Sequence, residues 1–149
     1  MAIKAASKAQ ATWQGNLAEG KGRVRMSSNA APEMPVSWEA RTNREGVSTT
    51  SPEELIAAAH AACFCMALSN GLNQKGTPPR QLDVTATCTF EVDQGASIKE
   101  MHLEVVGDVP GMDEAAFKEA ANAAGEGCPV SKALKGNVNV RVTARAKTA

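Results

Sequence analysis

From Leu55 to Gln74 the chain carries no Lys, Arg, Asp or Glu, and any fold it adopts must accommodate that run first. Its start is marked: Ser51 is a residue type favoured at an N-cap, Pro52 suits the first helical position, and Glu54 completes a Ser-x-x-Glu capping box. Leu55, Ile56, Ala59, Cys63, Met66 and Ala67 follow at helical spacing, which predicts one long helix ending near Gly71. A run without charge raises the question of a membrane span. The apolar part stops near Leu68, and Ser69, Asn70, Gly71, Asn73 and Gln74 follow. That falls short of the roughly 20 apolar residues a span needs, so a buried core helix is expected.

The 149 residues suit a single domain, 1–149, with a sizeable core. Lys plus Arg and Asp plus Glu number 16 each, so no basic field exists to attract nucleic acid. Aromatic residues make up 3% and Tyr is missing, which argues against a base-stacking surface. The opening MAIKAASKAQATW has no apolar core of the kind a secretory signal needs. The expectation is a cytoplasmic protein that engages neither nucleic acid nor membrane. Its four cysteines would there be free, catalytic or metal-bound, since structural disulfides belong to oxidising compartments.

Around the long helix, helical and β-patterned segments alternate. Ala11 to Leu17 and Lys21 to Ser27 read as short strands about a Glu19–Gly22 turn, with Val36 to Arg41 as a third strand and the polar Thr42 to Thr50 as a loop. Leu82, Val84, Ala86, Cys88, Phe90 and Val92 alternate with polar residues as a half-buried strand does. Asp93-Gln94-Gly95 turns into a partner strand, Ile98 to Val109. Asp113 caps a helix expected to stop at Ala123 before Gly125 and Gly127, Pro129 opens a short helix through Leu134, and Val138, Val140 and Val142 close with a last strand. The order βββ–α–ββ–αα–β is α+β, with predominantly antiparallel sheets expected.

The cysteines differ in context. Cys88 lies on the apolar face of its strand and reads as a small buried hydrophobe. Cys63 and Cys65, two apart on one helix, point roughly 200° away from each other, so at most one faces a given site. From the count alone, either could be core filler. Cys128, directly before Pro129, falls at a helix N-cap, where unsatisfied N–H groups and the helix dipole favour a thiolate; it could also be merely a cap. His60 shares the Cys63 face, as a helper of that thiol or as a helix-face histidine with its own hydrogen-bond partner. Metal binding by His60, Cys63 and Cys65 is disfavoured, because a tetrahedral site needs converging ligands. His102 is the only other histidine.

The segment TSPEELIAAAHAACFCMALS, Thr50 to Ser69, followed about 60 residues later by GCPVSKAL, Gly127 to Leu134, closely resembles the OsmC/Ohr family of thiol-dependent peroxidases. The WQG and GKG pattern between Trp13 and Gly22 is similar to the family too, and the HAACF wording, His60 to Phe64, looks more like the OsmC branch than the Ohr branch. The resemblance covers nearly the whole chain. It implies an OsmC-like fold of antiparallel sheets with a long central helix, assembled as an intertwined homodimer. It implies a reductive cycle without metal or flavin. Cys63 would be the peroxidatic thiolate that attacks organic hydroperoxides, and hydrogen peroxide less efficiently, becoming a sulfenic acid. Cys128 would resolve it as a disulfide, and an external dithiol, commonly a dihydrolipoyl group in the family, would regenerate both thiols.

The family also uses an Arg held by a Glu to stabilise the thiolate. The Glu maps onto Glu53; the Arg maps best onto Arg41, with Arg44 a weaker candidate. Glu53 also suits a helix first turn as an acid, and Glu54 is expected to act only in the capping box. Glu53 and Cys63 are ten residues apart, about 15 Å along one straight helix. They cannot both touch the same reacting atoms, and a homodimer with its sites at the subunit boundary removes that conflict. Cys65 departs from the family pattern, where a Ser or other small residue is usual; facing away from Cys63, it is expected to have no catalytic role. Phe64, Met66 and Met34 are candidates to shape the peroxide pocket. The alternative to the enzyme is a ligand-binding dimer of the same fold with an inert Cys63.

Overall fold

The computed structural model describes residues 2–147. The chain divides into two compact units, Met1–Pro52 and Glu53–Ala149.

The first unit is a three-stranded antiparallel sheet of β1 (Ala9–Gln14), β2 (Lys21–Met26) and β3 (Met34–Val36), in that order. The WQG and GKG pattern acquires a physical reason here. Trp13 lies opposite Gly22 in the β1–β2 register, and a Cβ at Gly22 would stand 2.5 Å from the indole, so only glycine lets the ring lie across the neighbouring strand. The indole N–H donates to the Gly15 and Asn16 carbonyls at 3.1 and 3.2 Å, locking the turn. The third strand differs from expectation. It ends at Val36, and the chain enters a short helix, α1 (Glu39–Thr42), instead of continuing extended to Arg41. Ser37 is the cause: its Oγ accepts from the Ala40 amide at 3.1 Å and so closes a helical turn.

All of α2 (Pro52–Gln74) but its first residue belongs to the second unit, and the helix ends three residues later than the apolar run suggested. A sheet follows in the order β4 (Gln81–Val92), β5 (Ala96–Asp108) and β6 (Asn139–Ala146). β4 and β5 pair antiparallel, as their alternation implied, but β5 and β6 pair parallel. The reason lies in the connection: α3 (Glu114–Gly127) and α4 (Pro129–Leu134) carry the chain back across the sheet before β6 begins. As expected, the Asp113 side chain caps α3, accepting from the Ala116 amide at 2.8 Å. Yet α3 runs on through Gly125 to Gly127. Gly125 serves packing, since a Cβ there would lie 2.9 Å from the Val142 methyl on β6.

One face of this sheet carries the core. Leu103 and Val105 of β5 meet Phe64, Leu68 and Leu72 of α2 and Phe117, Ala120, Ala121 and Ala124 of α3 in one buried cluster. The other face is polar, with Glu104, Arg141, Thr143 and Arg145, a division that period-2 alternation produces. By length and composition α2 could cross a membrane. It instead turns Phe64, Leu68 and Leu72 into the core and buries Glu53 and His60 among its residues, which suits the expected core helix and not a lipid-facing one.

Candidate active site

Cys63 lies at the middle of α2 and is partly exposed. Cys128 sits at the elbow where α3 ends and α4 begins, and is fully buried. Its backbone is held from both sides: its N–H donates to the Ala124 carbonyl at 2.8 Å, and its carbonyl accepts from the Lys132 amide at 3.0 Å. Pro129 at the start of α4 leaves no wasted donor at that corner. Residues 65 positions apart are thereby joined, the Cys128 and Cys63 sulfurs standing 3.0 Å apart, within hydrogen-bond reach. Both are free thiols. A disulfide of about 2.05 Å would need the sulfurs to close by about 1 Å.

The two sulfurs hold their protons unequally. Burial raises Cys63, and the Cys128 hydrogen bond and charge raise it further, while the Val130 amide opposes them. Burial would raise Cys128 too, but the bond with Cys63, the Ser131 amide and hydroxyl, and the Val130 amide outweigh it and hold that thiol below its ordinary value. These are the first-turn groups of α4, as the N-cap position foretold. The pair is therefore asymmetric: an exposed sulfur that keeps its proton beside a buried one that releases it.

Behind the pair lies a contact that the sequence did not announce. His60, one turn before Cys63, is fully buried, and its Nε2 is 2.7 Å from Ser131 Oγ. This ties α2 to α4 beneath the two sulfurs. Burial lowers the His60 pKa and keeps the ring neutral. Of the two expectations for His60, the hydrogen-bond partner is the one observed. Ser131 escaped sequence reasoning, although its place three residues after an N-cap cysteine, in Cys-Pro-Val-Ser, was the available signal.

Cys65 points elsewhere, as helix geometry required. It lines a surface recess with Met66, Ser69 and Asn73, and burial first, then the Asp83 charge, raises its pKa. Cys88 is half-buried on β4 and raised by burial, then by the charge of Glu53. Glu53, in the first turn of α2, is 5% exposed, and its charge acts on Cys88. Arg41 lies on α1 in the first unit, its guanidinium 5.7 Å from the centre of the Trp38 ring. Arg44 donates through Nη1 to the Ala40 and Thr49 carbonyls at 3.3 and 3.0 Å, bracing its own loop. Among the described residues no group of three His, Cys, Asp or Glu converges as a metal ion would require.

The profile of the OsmC-like protein family matches residues 45–143. The chain is 41% identical over 134 residues to a peroxiredoxin OsmC of Escherichia coli strain K12, covering 89% of this chain and 92% of that one. It is 31% identical over 124 residues to an organic hydroperoxide resistance protein of Xanthomonas axonopodis pv. citri, covering 83% and 85%. Among solved structures, that of the organic hydroperoxide resistance protein OhrB of Bacillus subtilis superposes with a TM-score of 0.73 at 27% identity, over 93% of this chain and 98% of that one.

Proposed function

The chain belongs to the OsmC-like protein family, and from that membership we propose that it is a thiol-dependent peroxidase reducing organic hydroperoxides, and hydrogen peroxide less efficiently, through Cys63 and Cys128. The observation that carries this reading is the pair of free sulfurs 3.0 Å apart, one reaching the surface and the other buried. Only the exposed sulfur can meet a hydroperoxide, which supports Cys63 as the attacking atom despite its tighter hold on its proton. Its thiolate attacks one peroxide oxygen, the O–O bond breaks, and the other oxygen leaves and takes a proton as the alcohol, or as water from hydrogen peroxide. Cys63 is then a sulfenic acid. The Cys128 thiolate attacks its sulfur, hydroxide leaves as water after protonation, and the disulfide forms. An external dithiol, of which a dihydrolipoyl group is one kind, restores both thiols and is itself oxidised to a disulfide. Neither metal nor prosthetic group enters the cycle.

Cys63 needs a cation to hold its charge when peroxide arrives. We assign that cation to Arg41, held by Glu53, the positions onto which the family's Arg and Glu map best, with Arg44 the weaker candidate. The working form is a homodimer, a single domain 1–149 in each subunit, in the cytoplasm. A stripe on α2 supports the dimer: Ala58, Ala59, Ala62 and Met66 recur at helical spacing and are exposed, Met66 at 71%, an apolar surface that a second copy would cover.

Steady-state assays test the activity. A cumene-type hydroperoxide with a dihydrolipoamide donor should turn over faster than hydrogen peroxide or than either peroxide with a monothiol donor. Cys63→Ser should abolish peroxide-dependent thiol consumption. Full activity in that variant, or an inert Cys63 toward peroxide in the parent, would refute the assignment.

A further inference from the structure

We infer that His60 and Ser131 are positioning residues for disulfide formation: their buried hydrogen bond holds α4 against α2 and keeps Cys128 within reach of Cys63. The purpose of this device rests on the peroxidase reading, its geometry on the fold. His60 stands three residues before Cys63 on α2, and Ser131 three residues after Cys128, a spacing of about one turn on either helix. The two helices are therefore joined at two points. The sulfurs meet at 3.0 Å, and about one turn away His60 Nε2 and Ser131 Oγ meet at 2.7 Å. The first junction opens and closes with oxidation. The second contains no group that oxidation of the thiols alters.

Little else holds α4 to α2. No residue of α4 belongs to the apolar cluster that α2, α3 and the sheet share, and its buried side chain is Ser131, 6% exposed. α3 fixes the elbow, through the Cys128 N–H bond to the Ala124 carbonyl at 2.8 Å, but leaves open the direction in which α4 departs. Ser131, one turn further on, supplies that constraint. His60 is a costly residue for mere filling. Its ring is fully buried and Nδ1 has no partner among the described residues, so the loss of water from two polar nitrogens is offset at one of them only. An apolar side chain would occupy this helix position at less cost. Burial also keeps the ring neutral, so its bond to Ser131 persists while the thiols titrate. With α4 held, closing the sulfurs by about 1 Å to the roughly 2.05 Å of a disulfide takes only small rotations of the two cysteine side chains. With α4 free to swing, closure must first order it, which lowers the effective concentration of one sulfur at the other.

Equilibration of the full chain with mixtures of reduced and oxidised dithiothreitol reads that effective concentration. The protein pair gives up two protons and two electrons as the bridge forms, and oxidised dithiothreitol takes them up as its dithiol. Acid quenching, alkylation and quantification of the Cys63–Cys128 peptide keep Cys65 and Cys88 out of the measurement. Ser131→Ala should lower the equilibrium constant for bridge formation about tenfold, the order of one buried hydrogen bond, which is about 30 mV in potential. His60→Phe, which keeps a ring but not the bond, should do the same. The double variant should fall no further than either single one, because each removes the same contact. Ser131→Thr and His60→Gln, which keep a group able to bond, should stay within about threefold of the parent. Circular dichroism and a thermal melt establish that each variant folds. An equilibrium unmoved by Ser131→Ala and His60→Phe, one lowered as far by His60→Gln as by His60→Phe, or losses that add in the double variant would overturn the inference: the contact would then only stabilise the fold. No peroxide is present, so a Cys63 inert toward hydroperoxides would refute the proposed activity without altering this result.

Discussion

Cys128→Ser separates what the buried sulfur does for Cys63 before peroxide arrives from what it does afterwards. Two charges 3.0 Å apart, at the effective dielectric near 20 that suits such sites, would repel by about 5 kcal/mol, or roughly four decades in the second ionisation. The dithiol therefore releases one proton over the useful pH range and resists releasing two. Because Cys128 is lowered and Cys63 raised, that single charge rests mainly on Cys128 until a cation draws it across. Serine in its place removes the competing thiolate, and its hydroxyl can donate to the Cys63 sulfur. The Cys63 thiolate fraction at neutral pH should rise roughly tenfold, one charge-assisted hydrogen bond being worth about that much. Burial still raises Cys63 in either protein, so the first step climbs with pH in both; the variant's climb should begin at lower pH. Stopped-flow measurement of single-turnover sulfenic acid formation reads this directly. Turnover with a dithiol should collapse at the same time, since the resolving sulfur is gone. A folded Cys128→Ser protein whose first step is tenfold slower across the pH range would refute the argument, for Cys128 would then activate Cys63 instead of competing with it.

Arg41→Ala should slow the first step by about a hundredfold to a thousandfold, the order expected on losing a cation about 4 Å from a thiolate, whereas Arg44→Ala should change the rate less than threefold; equal losses in stopped flow would show that the arginine is misassigned. Cys65→Ser should leave turnover intact, with peptide mapping of the peroxide-treated protein finding a Cys63–Cys128 bridge; a Cys65 bridge would contradict the opposed directions of the two helix positions. Leu68→Ala, at a fully buried core position, should cost about 2–5 kcal/mol in denaturant unfolding, and a loss below 1 kcal/mol would mean that α2 packs less tightly than described. During regeneration, a monothiol trap should be found on Cys63, because the exposed sulfur is the one an external thiol reaches; trapping mainly on Cys128 would reverse that order.

What the sequence disclosed and what it withheld follow the range of the interactions involved. The α2 start was legible because capping is local: Ser51, Pro52 and Glu54 lie within one turn. The Cys128 N-cap was legible because Pro129 marks a helix start by itself. The β4–β5 pair was legible because alternation is a local pattern. The parallel β5–β6 pairing was not, since β6 shows the same alternation whichever way it runs, and only the path of α3 and α4 sets its direction. Gly125 read as a breaker because its packing partner, Val142, is seventeen positions away. Ser131 went unnoticed for the same reason, its partner His60 lying 71 positions back. Local physics alone favoured Cys128 as the reactive thiol and left Cys63 as filler. The motif around Cys63 reversed the emphasis, and the fold brings the two sulfurs to 3.0 Å.

The asymmetry of the pair suits the two halves of a peroxidase cycle that make opposite demands on a sulfur. Attack on peroxide needs an accessible nucleophile, and intrinsic nucleophilicity rises with proton affinity provided that a cation can expose the thiolate on demand. Resolution and regeneration need a sulfur that is ionised when the sulfenic acid forms and that departs readily when the disulfide is attacked, and both are served by low proton affinity. A single environment could not supply both. The fold supplies two by setting Cys63 on the flank of a long helix, where burial withholds ionisation, and Cys128 at the start of a short one, where the bond with Cys63 first and then the Ser131 and Val130 groups favour it. The His60–Ser131 contact ties together the two helices that carry the sulfurs, so the reach of Cys128 to Cys63 rests in part on that hydrogen bond. Loosening that contact should therefore lengthen the reach between the sulfurs and slow disulfide formation more than the first attack on peroxide.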